Sequence, residues 1–451
     1  MKYMIVAVGL LLAACAPLPP AGPMAPDDGA ILLEFPPMRS FAAGNPGGSL
    51  RPNSEIARDF ADLSFRMESG RILPTFTRFE TPITVRFNGP APAHLTSDLE
   101  GLLARLRAEA GIDIRSTSGS DANIAIELVP ARQLRQVAPG AACFVVPRLR
   151  TWGELRRGGT SGAIDWTTLQ TRERAAVFMP EDATPQEMRD CLHEELAQAL
   201  GPLNDLYRLP DSVFNDDNMH AVLTPFDMLI LRVTYAPELR SGMSQAEVMA
   251  LVPRILSRLN PAGERPGGQT PIQTPRDWVT AMETALSGGP APVRRSEAAR
   301  AIAIGQAQGW TGARTGFAQY AFGRLHISAD PNLALGAFNA AARAYRNDAN
   351  MRIHAAHVDV QLAAFALIAQ DAQTVLALTG PAIDVARRHE NAALLTLLMM
   401  FRAEALDLQG QSDAAMALRL DSLGWGLYGF GSREEVVARL NEIASLTQPR
   451  S

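Results

Sequence analysis

Glu194-Glu195-Leu196-Ala197-Gln198-Ala199-Leu200-Gly201-Pro202-Leu203-Asn204 is the stretch on which the fold of this 451-residue chain turns. Leu196, Leu200 and Leu203 read as core positions. Glu194 and Gln198 stand four residues apart and so share one face of a helix, with Glu195 beside the first of them. Gly201 ends the helix and Asn204 lies beyond the turn. Upstream, Thr184 makes an N-cap, Pro185 occupies the first helical position and Glu187 completes a capping box, which sets the helix at about 185–200. The apolar run at 175–180 before it is a short strand.

Working outward, residues 53–67 have helical spacing through Ile56, Phe60 and Leu63. Residues 79–87 alternate and end at the turn Asn88-Gly89-Pro90. Leu95 to Ala110 is an amphipathic helix stopped by Gly111, and strands are expected at 112–114 and 124–129. Residues 151–172 read as an irregular surface insertion. Downstream of the motif come Ser212-Val213-Phe214-Asn215-Asp216, Leu223-Thr224-Pro225-Phe226-Asp227 and Val233-Thr234-Tyr235.

The motif spacing is similar to the metzincin zinc helix, H-E-x-x-H-x-x-G-x-x-H, with all three histidines replaced. Glu194, Gln198 and Asn204 fall in the ligand slots, Glu195 in the general-base slot and Gly201 in the turn slot. Ser212-Val213-Phe214 stands where that family has its methionine turn, with Phe214 in the methionine position. The resemblance implies an α+β zincin-like (metzincin-like) domain over 51–256. The wording Cys191-x-x-Glu194-Glu195-Leu196-x-Gln198-x-Leu200-Gly201, then Asn204-Asp205 and Phe214-Asn215-Asp216, also resembles a family of uncharacterised proteobacterial lipoproteins labelled DUF2927. That second resemblance implies an envelope location and no stated activity.

The donor types weigh against zinc. Glu194 is an acceptable ligand, but the amides of Gln198 and Asn204 are poor zinc donors, better suited to calcium among other oxygens. Asp205, Asp216, Asp217 and His220 stand close enough in sequence to add ligands. His193 is read as a surface or supporting residue, because the residue four further on is Ala197. The expectation is no cofactor, with zinc or calcium as the ions a surviving site would take. The alternative to a metal site is a hydrogen-bonded polar cluster closing the former metal hole. In an active enzyme Glu195 would be the base that takes a proton from metal-bound water.

The N-terminus has a lysine, Lys2, then an apolar run from Ile5 to Leu12, too short to span a bilayer as a mature helix. Leu12-Ala13-Ala14-Cys15 resembles the bacterial lipobox, which implies a leader of residues 1–14 and a lipid-modified Cys15. Ala16 follows, so the outer membrane, with the protein facing the periplasm, is favoured. Two cysteines then remain, Cys143 and Cys191, and an oxidising compartment favours a bond between them over two buried thiols. Residues 15–50, rich in Pro, Gly and Ala, are read as a disordered tether. The net charge of −5 argues against a nucleic-acid partner, and 47% hydrophobic residues allow sizeable cores.

Residues 257–293 read as a linker with one short helix, and 294–451 as an alanine-rich all-α helical-repeat domain. Ala334, Phe338, Ala341 and Tyr345 match the second helix of a tetratricopeptide-like (TPR-like) repeat, and 402–415 gives a second partial match. Three functions remain open: a membrane-anchored module that binds a protein or peptide, a metallopeptidase with an atypical Glu/Gln/Asn site, and an envelope scaffold.

Overall fold

The computed structural model describes residues 35–41, 51–158, 162–267 and 273–447. The leader, Cys15 and the tether apart from 35–41 lie outside the described residues. Among the described residues no helix is long and apolar enough to cross a membrane. The chain forms two compact units, one from Phe41 to Thr274 and one from Pro275 onward together with the segment ending at Ser40.

In the first unit, β1 (Ile83–Phe87), β2 (Ile114–Ser116), β3 (Ile124–Val129), β4 (Phe144–Pro147) and β5 (Ala175–Pro180) form one sheet in the order β2-β1-β3-β5-β4. The first four in that order are parallel, and β4 runs antiparallel on the edge. Parallel neighbours need long crossovers. Helix α2 (Ala93–Ala110) provides the one between β1 and β2, after α1 (Asn53–Phe65) has opened the unit. The first strand begins at Ile83, four residues later than the alternation suggests, since Pro82 has no N–H for a ladder.

Strand β5 is buried along its whole length. Ala175, Val177 and Met179 enter the main core with Leu102, Leu106, Leu192 and Leu196. Ala176 and Phe178 enter a second layer with Val129, Leu134, Val146, Trp152 and Leu155. That layer is supplied by α3 (Ala131–Val137) and α4 (Trp152–Gly158). The 151–172 stretch is therefore not merely irregular: Trp152 meets Phe178 edge-on at 5.2 Å, and residues 152–158 are helical. The motif helix, α5 (Pro185–Leu200), packs on the main-core side, followed by α6 (Pro225–Thr234) and α7 (Gln245–Leu259). A disulfide joins Cys143, just before the edge strand, to Cys191 in the middle of α5.

The second unit holds α8 (Arg276–Leu286), α9 (Ala291–Ala307), α10 (Ala313–His326), α11 (Pro331–Arg346), α12 (Arg352–Ile368), α13 (Ala372–Arg388), α14 (Ala392–Leu408), α15 (Ser412–Phe430) and α16 (Arg433–Ser445). Helix α8, read from sequence as part of a linker, belongs to this unit, because Trp278, Ala281, Met282 and Ala285 are fully buried. Neighbouring helices pair along the chain. Gln370, Glu390 and Gly410, all with positive φ, end α12, α13 and α14 at an even spacing of 20 residues. A helix pair therefore repeats every 40 residues in this stretch, against 34 for a tetratricopeptide repeat. The positions taken from that pattern, Ala334, Phe338, Ala341 and Tyr345, are all buried on α11. In the same unit the segment ending at Ser40 lies on α15: Arg39 N–H donates to the Gly424 carbonyl at 3.0 Å, and its guanidinium pairs with Asp421 at 2.6 Å.

Candidate functional site

Both ends of α5 are fixed by side chains. At its start the Thr184 hydroxyl accepts from Glu187 N–H at 3.2 Å, and Glu187 accepts from Thr184 N–H at 2.9 Å. At its end the buried Arg172 guanidinium donates to the carbonyls of Gln198 at 2.6 Å, Ala199 at 2.7 Å and Gly201 at 2.5 Å. These are the carbonyls a helix terminus leaves without partners, and a cation also suits that end of the helix dipole. Burial lowers the Arg172 pKa to about 10, so it stays charged at neutral pH. Gly201 has extended backbone (φ −173°). Its lack of a side chain is required by α6, since a Cβ there would stand 2.8 Å from Thr234 Cγ2.

The three slots do not act together. Gln198 Nε2 donates to Asp205 Oδ2 at 2.9 Å. Asn204 Nδ2 donates instead to the Asp62 carbonyl on α1 at 2.9 Å. The following segment is tied to α1 as well, because Arg208 pairs with both Asp59 and Asp62. His193, for which surface and supporting positions were both open, is 4% exposed, and its Nδ1 accepts from Leu223 N–H at 3.1 Å. Burial, then Arg189 and Arg105, hold its pKa well below the usual imidazole value, so it is neutral.

The turn at 212–216 is built around Asp227 at the start of α6. Its carboxylate accepts from Ser212 Oγ at 2.5 Å, Val213 N–H at 3.1 Å and Thr224 N–H at 2.8 Å. Phe214 is fully buried in the main core, and its N–H donates to Ser212 Oγ at 3.0 Å. Asp217 serves the same turn, accepting from Asn215 Nδ2 at 2.8 Å and Met219 N–H at 3.1 Å. His220 Nε2 lies 2.9 Å from the Pro210 carbonyl. Of the residues expected to add ligands, Asp216 acts electrostatically on Glu194 and Asp205 on Glu195.

What gathers around the motif is a set of carboxylates. Burial, then Glu195, Asp216, Asp190 and Glu68, hold Glu194 well above the usual carboxylate range. Burial, then Asp205 and Glu68, push Glu195 up to about 8. Burial, then Glu194, Asp216 and Glu68, likewise raise Asp205, against the single opposing hydrogen bond from Gln198. Asp190 is raised to about 8, chiefly by burial. Glu195 Oε2 and Asp205 Oδ1 are buried with no hydrogen-bond partner.

These residues do not fit a zinc centre. Among the described residues no three His, Cys, Asp or Glu side chains are arranged to hold a metal ion. Asn204 and Gln198 direct their amide N–H groups to different partners, the Asp62 carbonyl and Asp205, and amide oxygens are in any case poor zinc donors. Two cavities of the unit lie elsewhere. One of about 250 Å³ is lined by Arg78, Glu80, Asp113 and Tyr235, and one of about 380 Å³ by Arg148, Thr168, Glu173 and Arg174.

Residues 53–254 match the family model described as "Protein of unknown function (DUF2927)". The match begins with α1, contains the motif helix and the Asp227 turn, and ends within α7. No curated protein and no solved structure matches the chain. Arg172, Glu68 and Asp190 were not singled out from sequence. Arg172 carried no readable signal, since its partners are backbone carbonyls 26 to 29 residues away and the Thr77 hydroxyl 95 residues away. A run of acidic residues on both sides of Gly201 was the available hint for the carboxylate cluster.

Proposed function

We propose that residues 51–256 are a degenerate metzincin-like (zincin-like) domain that binds a protein or peptide segment without hydrolysing it. The chain would be lipid-anchored through Cys15 at the envelope, facing the periplasm, with its TPR-like C-terminal helices offering a second docking surface. The observation that carries this reading is the state of the motif: Glu195 is buried, and the two amide slots are tied to different partners. Such an arrangement would supply no activated water. The strand, helix, strand, strand opening (β1, α2, β2, β3) and the placement of α5 and the Asp227 turn support the metzincin-like assignment.

Casein incubated with the purified chain lacking its leader tests the reading. No cleavage above the protein-free control is expected. Cleavage that disappears both in Glu195→Gln and with a chelator would make the chain a metallopeptidase and overturn it. The anchor is tested separately: Cys15→Ala should move the protein from the membrane fraction to the soluble fraction, and an unchanged distribution would remove the lipid anchor from the account.

A further inference from the structure

Helix α15 carries three glycines in its second half, and each makes room for a different neighbour. A Cβ on Gly429 would stand 2.6 Å from the Ala393 backbone on α14, and one on Gly426 would stand 2.9 Å from Val436 on α16. At Gly424 the three nearest atoms all belong to the segment of residues 35–40: the Pro37 carbonyl oxygen at 3.0 Å, Arg39 Cγ at 3.1 Å and Arg39 Cδ at 3.5 Å. A glycine inside a helix destabilises it relative to alanine. The first two glycines serve the packing of the unit's own helices, and the third serves an extended segment. Further contacts fix that segment's register. Arg39 N–H donates to the Gly424 carbonyl at 3.0 Å, and its guanidinium pairs with Asp421 at 2.6 Å and lies 5.7 Å from the Trp425 ring centroid. Arg433, the first residue of α16, places its guanidinium over the Phe35 ring at 5.3 Å. Met38 is 40% exposed, so the positions in use read Phe-Pro-Pro-x-Arg.

Resting on the reading of the C-terminal helices as a docking surface, we propose that α15 around Gly424, with the start of α16, is a recognition site for an extended aromatic-Pro-Pro-x-Arg segment, and that residues 35–40 are its resident occupant. The segment is a strap: it fills in cis the place that a protein segment of the same pattern takes in trans. Its two prolines stiffen it before it docks, which lowers the cost of ordering it. The Arg39 side chain stays half-exposed in the docked state. A main-chain hydrogen bond, an ion pair to such an arginine and cation–π contacts are each worth little at a surface. Being part of the same chain, the strap is presented at an effective concentration on the order of millimolar, which holds it in place and still lets it exchange.

Arg39 is the one basic residue between Lys2 and Arg51, so tryptic release of the fragment ending at Arg39 reports on the strap. In the whole chain lacking its leader, Phe35→Ala and Gly424→Leu should each speed that cleavage at least about tenfold over wild type. Gly424→Leu puts a good helix former into α15 and a side chain into the strap's place, while Phe35→Ala leaves every helix as it is. The second measurement is the anisotropy of a blocked, labelled peptide, Phe-Pro-Pro-Met-Arg-Ser. It should bind the chain carrying Phe35→Ala and Arg39→Ala at least about tenfold more tightly than wild type, whose own strap competes, and adding Gly424→Leu should abolish the binding. Cleavage of wild type as fast as of the variants would show that the segment is not docked and end the proposal. Equal binding to the two chains, or binding that survives Gly424→Leu, would also overturn it but leave the docking reading standing, since the peptide would then sit elsewhere. No binding to any of these chains would count against both.

Discussion

Asp227 and Glu195 are both carboxylates sealed into the α/β unit, and the chain treats them in opposite ways. Asp227 is 0% exposed and receives Ser212 Oγ, Val213 N–H and Thr224 N–H. Burial raises its pKa only to about 6, because those hydrogen bonds pull against desolvation. Glu195 is 4% exposed, and its Oε2 receives nothing. With two carboxylates as electrostatic neighbours, its pKa rises to about 8. Desolvation is common to both, so the difference lies in the hydrogen bonds that Asp227 receives and in the carboxylates beside Glu195. Where a buried acid organises the fold, the fold supplies its partners.

That contrast can be broken by mutation, and the largest effect belongs to the satisfied acid. Asp227→Ala strands one hydroxyl and two backbone N–H groups in the core and should destabilise the unit by about 4 kcal/mol, read from urea unfolding. A loss under about 1 kcal/mol would mean the turn does not depend on the carboxylate. The disulfide acts on neither acid directly and serves as a reference. Replacing Cys143 and Cys191 by serine frees a segment of 48 residues and should cost about 3 kcal/mol in the same measurement. The pH profile of Glu195 should be unmoved by it.

Glu195→Gln should go the other way. Its folded pKa lies above the ordinary 4.5, so the stability it contributes is complete below 4.5 and is lost as pH rises through about 8. The wild-type unit should therefore weaken as pH climbs through that window. Glu195→Gln should flatten the decline and stabilise the alkaline form by about 1–3 kcal/mol. A variant less stable than wild type above pH 8 would show that Glu195 has a partner after all. Smallest is Gln198→Ala, which removes one hydrogen bond to Asp205 and should cost about 1 kcal/mol while raising the Asp205 pKa further.

The local parts of this arrangement were legible in the sequence. Thr184, Pro185 and Glu187 announce the start of α5 through contacts three residues long, and the structure has that capping box. Strand β3 and the pairing of Cys143 with Cys191 were read correctly for similar reasons, from a short apolar run and from a count of two. What depended on distant chain was not legible. Gly201 looked like a turn residue, yet it is held to glycine by Thr234 on another helix. For His193 the sequence leaves surface and supporting positions open, because its partner, the Leu223 N–H, comes from 30 residues away. Asn204 turned to Asp62, 142 residues earlier, rather than to its neighbours in the motif. Helix α8 was taken for linker because its flanks are rich in Pro and Gly, but Trp278 gives it a core. The carboxylate cluster belongs to this class as well: Glu68 comes to the motif from the far side of the domain's sequence.

The most direct test of the account is the metal content of the purified chain lacking its leader, measured by elemental mass spectrometry after passage over a desalting column. The account expects zinc and other transition metals far below one per chain, with the same result for Glu194→Ala. Close to one zinc per chain in the wild type, lost in Glu194→Ala, would contradict it and restore the motif to a working metal centre.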